Sequence, residues 1–320
     1  MNPALFETIK GHDEIKKNLI SSIESQRLAH SLLFTGPSGV GKKMMAFAVA
    51  QKLLCETHSA CGKCPACVNV QKNQSEYLLF ISTEALNLKL EDVQGIHPFL
   101  AFSTDKFKIV IIDEAEKLNI KASNSLLKII EEPPPQSFFF FISSEAYKLP
   151  VTIRSRLQVL RFYPIPLEIL KQLVVAEAWM LAASQGSLDQ LQEIQDQKEI
   201  RSVAIEAWTM IFKKGVQAPA LVFPLVLKKR KEALMVCKYW LQFLRDARLL
   251  QVGETSRGIH KDQQDLISKI TLLSFQELDF LIQKTLELEK NLRSHIDCIL
   301  CFENFVIDLQ SRIQSWNSCG

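Results

Sequence analysis

The sequence has no apolar run of the roughly 18 residues that span a bilayer, and residues 1–10 lack a charged stretch followed by an apolar one of the signal type. Together these predict a cytoplasmic protein that makes no membrane contact. Charge of one sign is also missing: 38 Lys and Arg against 35 Asp and Glu leave a net charge of +3. That is too mild to mark a nucleic-acid-binding face, which needs clustered positive charge. Nor is there a bias of composition. With 47% hydrophobic and 23% charged residues over 320 positions, the chain is unlike a disordered tail or a fibre and is long enough for two or three domains.

What is present is a pattern of alternating elements. Short apolar runs at Ser31–Phe34, Tyr77–Ile81, Phe107–Ile112 and Phe138–Ile142 read as buried strands, with helical stretches such as Lys43–Leu54 and Ile120–Ile130 between them. Buried strands joined by helical crossovers predict a parallel α/β sheet whose ligand site lies beyond the carboxyl ends of the strands. Pro133–Pro135 end one helix, and Pro164 with Pro166 mark a hinge. A short helical stretch follows to about Gln197. From about Ile200 the pattern is almost purely helical, with Trp240, Leu241, Phe243 and Leu244, then Leu278, Leu281 and Ile282, at three-to-four spacing. The basic run Lys228–Lys231 reads as a solvated helix end rather than a binding patch.

Directly after the first strand, Gly36, Pro37, Ser38, Gly39, Val40, Gly41 and Lys42 spell the phosphate loop Gly-x-x-x-x-Gly-Lys. Its glycines let backbone N–H groups turn inward around phosphate oxygens, and the following helix points its positive end at them. Lys42 would reach the outer phosphates of ATP. The strand Ile109–Ile112 ends in Asp113 and Glu114, an acid for Mg²⁺ and a second to polarise a water, on what reads as a neighbouring strand. A chance glycine-rich turn and an exposed acidic pair are the plainer readings of each motif alone. What the loop lacks is the Ser or Thr that completes the Mg²⁺ shell. Lys43 stands there, a cation with no acceptor atom, expected to repel the metal unless it swings to solvent. Nucleotide docking stays possible; efficient hydrolysis is not expected.

Of the eight cysteines, Cys55, Cys61, Cys64 and Cys67 fall within 13 residues as C-x₅-C-x₂-C-x₂-C, bent at Gly62 and Pro65. Four thiolates at this spacing in a reducing compartment predict a closed, tetrahedral, structural Zn²⁺ site, with a redox pair or solitary buried thiols as alternatives. His58 would find no vacancy among them. Cys298 and Cys301 sit in a helical pattern and read as core packing.

The order of motifs resembles the clamp-loader branch of the AAA+ ATPases, in particular the delta-prime type of bacterial DNA polymerase III. The resemblance is carried by LAHSLLFTGPSGVGK at 28–42, the four-cysteine insertion after the loop's helix, LLKIIEEPPPQSFFFFISS at 126–144 and KLPVTIRSRLQ at 148–158. It implies an α/β AAA+ domain with a RecA-like parallel sheet over residues 1–162 with the zinc module at 55–67, a small helical lid at 163–203, and an all-α collar at 204–320. It further implies that Arg156 is an arginine finger offered to the ATP of a neighbouring subunit, and that Ser143 or Ser144 occupies the sensor-1 position. At the place where motor copies carry a sensor-2 arginine, this chain has Asp189. The implied partners are gamma or tau motor subunits and a delta subunit in a pentamer, the sliding clamp, and primed DNA through the complex. The implied role is a stator with Asp113 and Glu114 vestigial. A motor subunit that hydrolyses ATP, and a zinc-dependent nucleic-acid-binding module, are the rival readings. The second would need aromatics and a basic face around Cys55–Cys67, where Lys63 is the only fixed positive charge.

Overall fold

The computed structural model describes residues 4–102, 104–214, 230–294 and 296–316. The chain divides into two compact units, Met1–Val175 with Ser184–Gln190, and Ala176–Ala183 with Leu191–Gly320. The segment expected to form a separate lid, residues 163–203, is shared between them. Of the basic run Lys228–Lys231, positions 228 and 229 lie outside the described residues, and Lys231 pairs with Glu193 at 3.3 Å.

In the first unit, β1 (Ser31–Thr35), β2 (Leu78–Ile81), β3 (Lys108–Ile112), β4 (Ser137–Ser143) and β5 (Gln158–Arg161) form one sheet of order β2-β3-β4-β1-β5, every pair parallel. β3 and β4 are buried along their whole length, as a parallel sheet covered on both faces requires. β5 differs, with Gln158, Val159 and Arg161 exposed. It has no apolar run to announce it, and only its pairing with β1, from Leu32↔Gln158 to Thr35↔Arg161, makes it a strand.

The helix Lys42–Leu54 is apolar on nearly every side and buries Met45, Ala46, Ala48, Val49, Ala50, Leu53 and Leu54, which places it in the interior. The helix Ile120–Glu131 starts where the Asn119 side chain accepts from Ala122 N at 2.8 Å. Its Ala122, Leu126, Ile129 and Ile130 share one core with Val110, Ile112, Phe139 and Phe141. Each large apolar side chain buried there contributes about 1.5–3 kcal/mol, and the prolines at 133–135 prevent the helix from continuing.

The second unit is helical. The helix Arg230–Gln251 packs against Lys198–Lys214, Gln264–Thr271 and Phe275–Arg293, and the last of these against Cys298–Trp316. Trp240 and Trp208 meet edge to face at 5.5 Å, and Trp240 Nε1 donates to Ala204 O at 3.0 Å. Trp240, Phe243, Leu244, Leu278 and Leu281 are all buried. Among the described residues no helix is long and apolar enough to cross a membrane.

Candidate functional site

The sheet order puts β1 at the point where the winding reverses, and ligand sites of open α/β sheets lie there, outside the carboxyl ends. β1 leads into the glycine loop, β3 ends at Asp113, and β4 ends at Ser143. The expectation that loop and acidic pair sit on adjacent strands is corrected, because β4 lies between them and brings Ser143 and Ser144 into the middle of the site.

The loop's geometry explains two of its glycines. At Gly36 (φ +147°) a Cβ would lie 2.3 Å from Phe162 O; at Gly39 (φ +70°) it would lie 2.4 Å from Ser187 Oγ and 2.6 Å from Asp189 N. The chain around Asp189 is therefore seated on the loop. Leu188 N donates to Gly39 O at 3.0 Å, and Ser38 Oγ donates to Asp189 Oδ2 at 3.0 Å. The Lys42 ammonium is folded back on the loop, donating to Gly36 O at 2.7 Å and Pro37 O at 2.5 Å. Burial lowers its pKa, opposed by the charges of Glu116, Asp113 and Asp189.

A cleft of about 770 Å³ opens beside the loop, lined by Ser38, Gly39, Gly41, Lys42, Lys43, Asp113, Glu114, Glu116, Ser143, Ser144 and Asp189 among others. Gly36, Pro37 and Val40 do not line it. The Nζ of Lys43 lies 3.3 Å from Asp113 Oδ2 and 4.3 Å from the centre of the Phe80 ring. Glu114 is drawn aside by Lys117 at 2.8 Å. Glu116, which no motif singled out, accepts from Ser144 N at 3.1 Å and Ser144 Oγ at 2.5 Å, while its second oxygen is buried with no hydrogen-bond partner. Burial opposes its charge, but the Ser144 hydroxyl leads a set of hydrogen bonds that holds its pKa below the ordinary carboxylate value. With Lys72, the lining of the cleft holds four carboxylates and three ammonium groups.

Arg156 lies apart from this cleft. Its Nε donates to Glu131 Oε1 at 2.6 Å and its Nη1 to Thr152 O at 2.6 Å, and its side chain is 37% exposed. Glu131 is a second residue that no motif assigned, although it lies within the segment at 126–144.

The cysteine cluster forms at the end of the loop's helix. The four sulfur atoms all lie within 4.8 Å of one another, with Cys55 to Cys61 at 3.8 Å and Cys61 to Cys67 at 3.9 Å. A tetrahedron with Zn–S bonds of about 2.3 Å has edges of about 3.8 Å, so the donor set fits Zn²⁺. The N–H groups of Cys61, Cys64 and Cys67 point at the sulfurs of Cys55, Cys61 and Cys64 at 3.4–3.5 Å. Burial opposes the Cys55 thiolate, yet bonds led by the Thr57 hydroxyl bring its pKa to about 5, whereas burial pushes the Cys67 thiol up. His58 is not a member of the cluster. Of the pair at 298 and 301, Cys301 is buried and Cys298 half-buried.

Residues 11–166 match the family described as "DNA polymerase III, delta subunit". The delta' subunit of Bacillus subtilis is 25% identical over 316 residues, covering 92% of this chain and 95% of that protein. The tau subunit of the same organism is 31% identical over 194 residues, and that of Escherichia coli 32% over 159, covering 58% and 48% of this chain. The chain spans only 34% and 25% of the length of these two tau subunits. Among solved structures, a gamma subunit-related protein of Thermotoga maritima is 17% identical, covers 92% of this chain and 98% of its own, and aligns with a TM-score of 0.48. The match over residues 11–166, just under half of the chain, and the end-to-end similarity to a delta' subunit ally this chain with the delta-type subunits of DNA polymerase III.

Proposed function

We propose that the chain is a stator of the delta-prime type, which lends Arg156 to the ATP of a neighbouring motor subunit while the clamp loader places the sliding clamp on primed DNA. The partners in this reading are gamma or tau motor subunits and a delta subunit. The observation that carries it is the state of the chain's own acids: Asp113 is engaged by Lys43 and Glu114 by Lys117, so neither is set for metal or water. Arg156 supports the same reading from outside the cleft. Its planar, permanently charged fork suits a developing phosphoryl charge, and Glu131 with Thr152 holds it at the surface in the free chain. Cys55, Cys61, Cys64 and Cys67 would hold Zn²⁺, which supplies a structural cross-link and no open coordination position. Through Gln51, whose amide donates to Cys67 O at 3.4 Å and accepts from Leu5 N at 2.9 Å, the cluster is tied to the phosphate-loop helix.

The test is DNA-stimulated ATP hydrolysis by the complex assembled with motor and delta subunits. Arg156→Ala should leave assembly intact and lower turnover by roughly 10³-fold at the site it serves, the scale of an arginine finger. Unchanged turnover in a fully assembled complex refutes the assignment, and ATP turnover by the isolated chain that Lys42→Ala abolishes would make it a motor.

A further inference from the structure

A phosphate-loop protein holds Mg²⁺ through the Ser or Thr after the loop lysine together with the acid that ends the metal-binding strand. In this chain the first of those positions is Lys43 and the second is Asp113, and the two are joined to each other, Nζ to Oδ2 at 3.3 Å. The ammonium is held from a second side by the Phe80 ring at 4.3 Å, a cation–π contact. A monovalent cation thus stands where the two metal ligands would converge. It offers three donors and no lone pair. A divalent ion entering beside it would meet its repulsion and would have to take Asp113 from it. The neighbouring acids are engaged as well, Glu114 by Lys117 and Glu116 by Ser144. The residues present therefore do not fit Mg²⁺.

We propose that Lys43 is a tethered counter-ion in the place of the loop's divalent cation, and that it is this residue that keeps the cleft from taking a magnesium–nucleotide complex. The inference rests on the reading of the chain as a stator and deepens it: the site is kept in its empty-motor form by a residue within the loop itself. Lys43 differs in this from Asp189, which acts on the loop from the segment seated over it. The exclusion falls on the metal complex, and it is reversible by one side chain, because Lys43 is 54% exposed and its stem fills no core space.

The experiment is calorimetric titration of the full chain with ATP, in buffer with Mg²⁺ and in magnesium-free buffer without a chelator, so that the cysteine cluster is not stripped. The wild-type chain should show no gain in ATP affinity from Mg²⁺, whereas Lys43→Ser should bind ATP at least about tenfold more tightly with Mg²⁺ than without, the scale on which a metal-site residue acts. Circular dichroism and thermal unfolding establish that the variant is folded. In the double variant Lys43→Ser with Asp113→Asn the gain should disappear. Three outcomes overturn the inference: a tenfold magnesium effect in the wild-type chain, none in folded Lys43→Ser, or a gain that persists without the Asp113 carboxylate. Failure here is separable from failure of the stator reading, which is decided by Arg156→Ala in the assembled complex.

Discussion

Gly39→Ala puts a methyl group into the contact between the phosphate loop and the segment around Asp189, and its cost divides into two parts. The first is backbone: φ is +70°, a region that costs an L residue about 1–2 kcal/mol. The second is collision, since the methyl would lie 2.4 Å from Ser187 Oγ and 2.6 Å from Asp189 N, and overpacking of this kind costs about 1–3 kcal/mol. Ser187 Oγ cannot simply turn away without losing its bond from Gln190 N at 3.1 Å. The expected total is about 2–5 kcal/mol, a large part of the 5–15 kcal/mol that holds a typical domain. Gly41→Ala is the internal control, because its φ of +96° carries the backbone cost while no atom lies within 4 Å of the added carbon. It should lose about 1–2 kcal/mol. Denaturant unfolding of the full chain, with native-state hydrogen exchange at Leu188, reads both parts; that amide donates to Gly39 O and should lose protection in Gly39→Ala alone. Equal destabilisation by the two substitutions, with Leu188 protected in both, would refute the seating of this segment on the loop.

Two further outcomes follow from the chemistry of single side chains. Arg201 has no acceptor, so His260 Nδ1 must accept from Arg201 Nη2 at 3.0 Å and His260 Nε2 must donate to Gln242 Oε1 at 2.9 Å; a protonated ring would aim an N–H at the guanidinium. Burial, then the Arg201 charge, lowers the His260 pKa from 6.5 to about 3. Because the unfolded chain binds a proton near pH 6.5 that the folded chain refuses until about 3, stability falls as pH drops through this window, by up to about 1.4 kcal/mol per unit. His260→Gln should flatten that slope between about pH 5 and 6.5, above the ordinary carboxylate range, and an unchanged slope assigns the effect to other groups. Replacing Cys64 and Cys67 by Ser should release Zn²⁺, read by metal analysis of the purified chain, and lower the unfolding temperature of the first unit; full metal content or undiminished stability rules out the structural metal.

The first unit was largely legible because its signals are local. Four of the five strands are apolar runs whose meaning does not depend on neighbours, and the glycine loop and the cysteine spacing are each complete within 13 residues. The fifth strand was not legible, since Gln158–Arg161 has exposed positions and becomes a strand only by pairing with β1. The lid range 163–203 was drawn from prolines and resemblance, signals that say where the chain can bend but not which core each stretch joins.

The sequence alone determined that a phosphate-loop motif is present at 36–42, that Lys43 stands where its hydroxyl would follow, and that four thiols are close enough along the chain to share one ion. Only the tertiary structure decided what Lys43 does. Its partner Asp113 is 70 positions away, and the two meet because β4 enters the sheet between β1 and β3 and aligns all three carboxyl ends. The same holds for Asp189 over Gly39, for Glu116 on Ser144 and for Glu131 on Arg156. A motif fixes which groups a few adjacent residues can offer; the order of strands in a parallel sheet, set by long crossovers, fixes which charges stand opposite one another and therefore which of those offers are already taken.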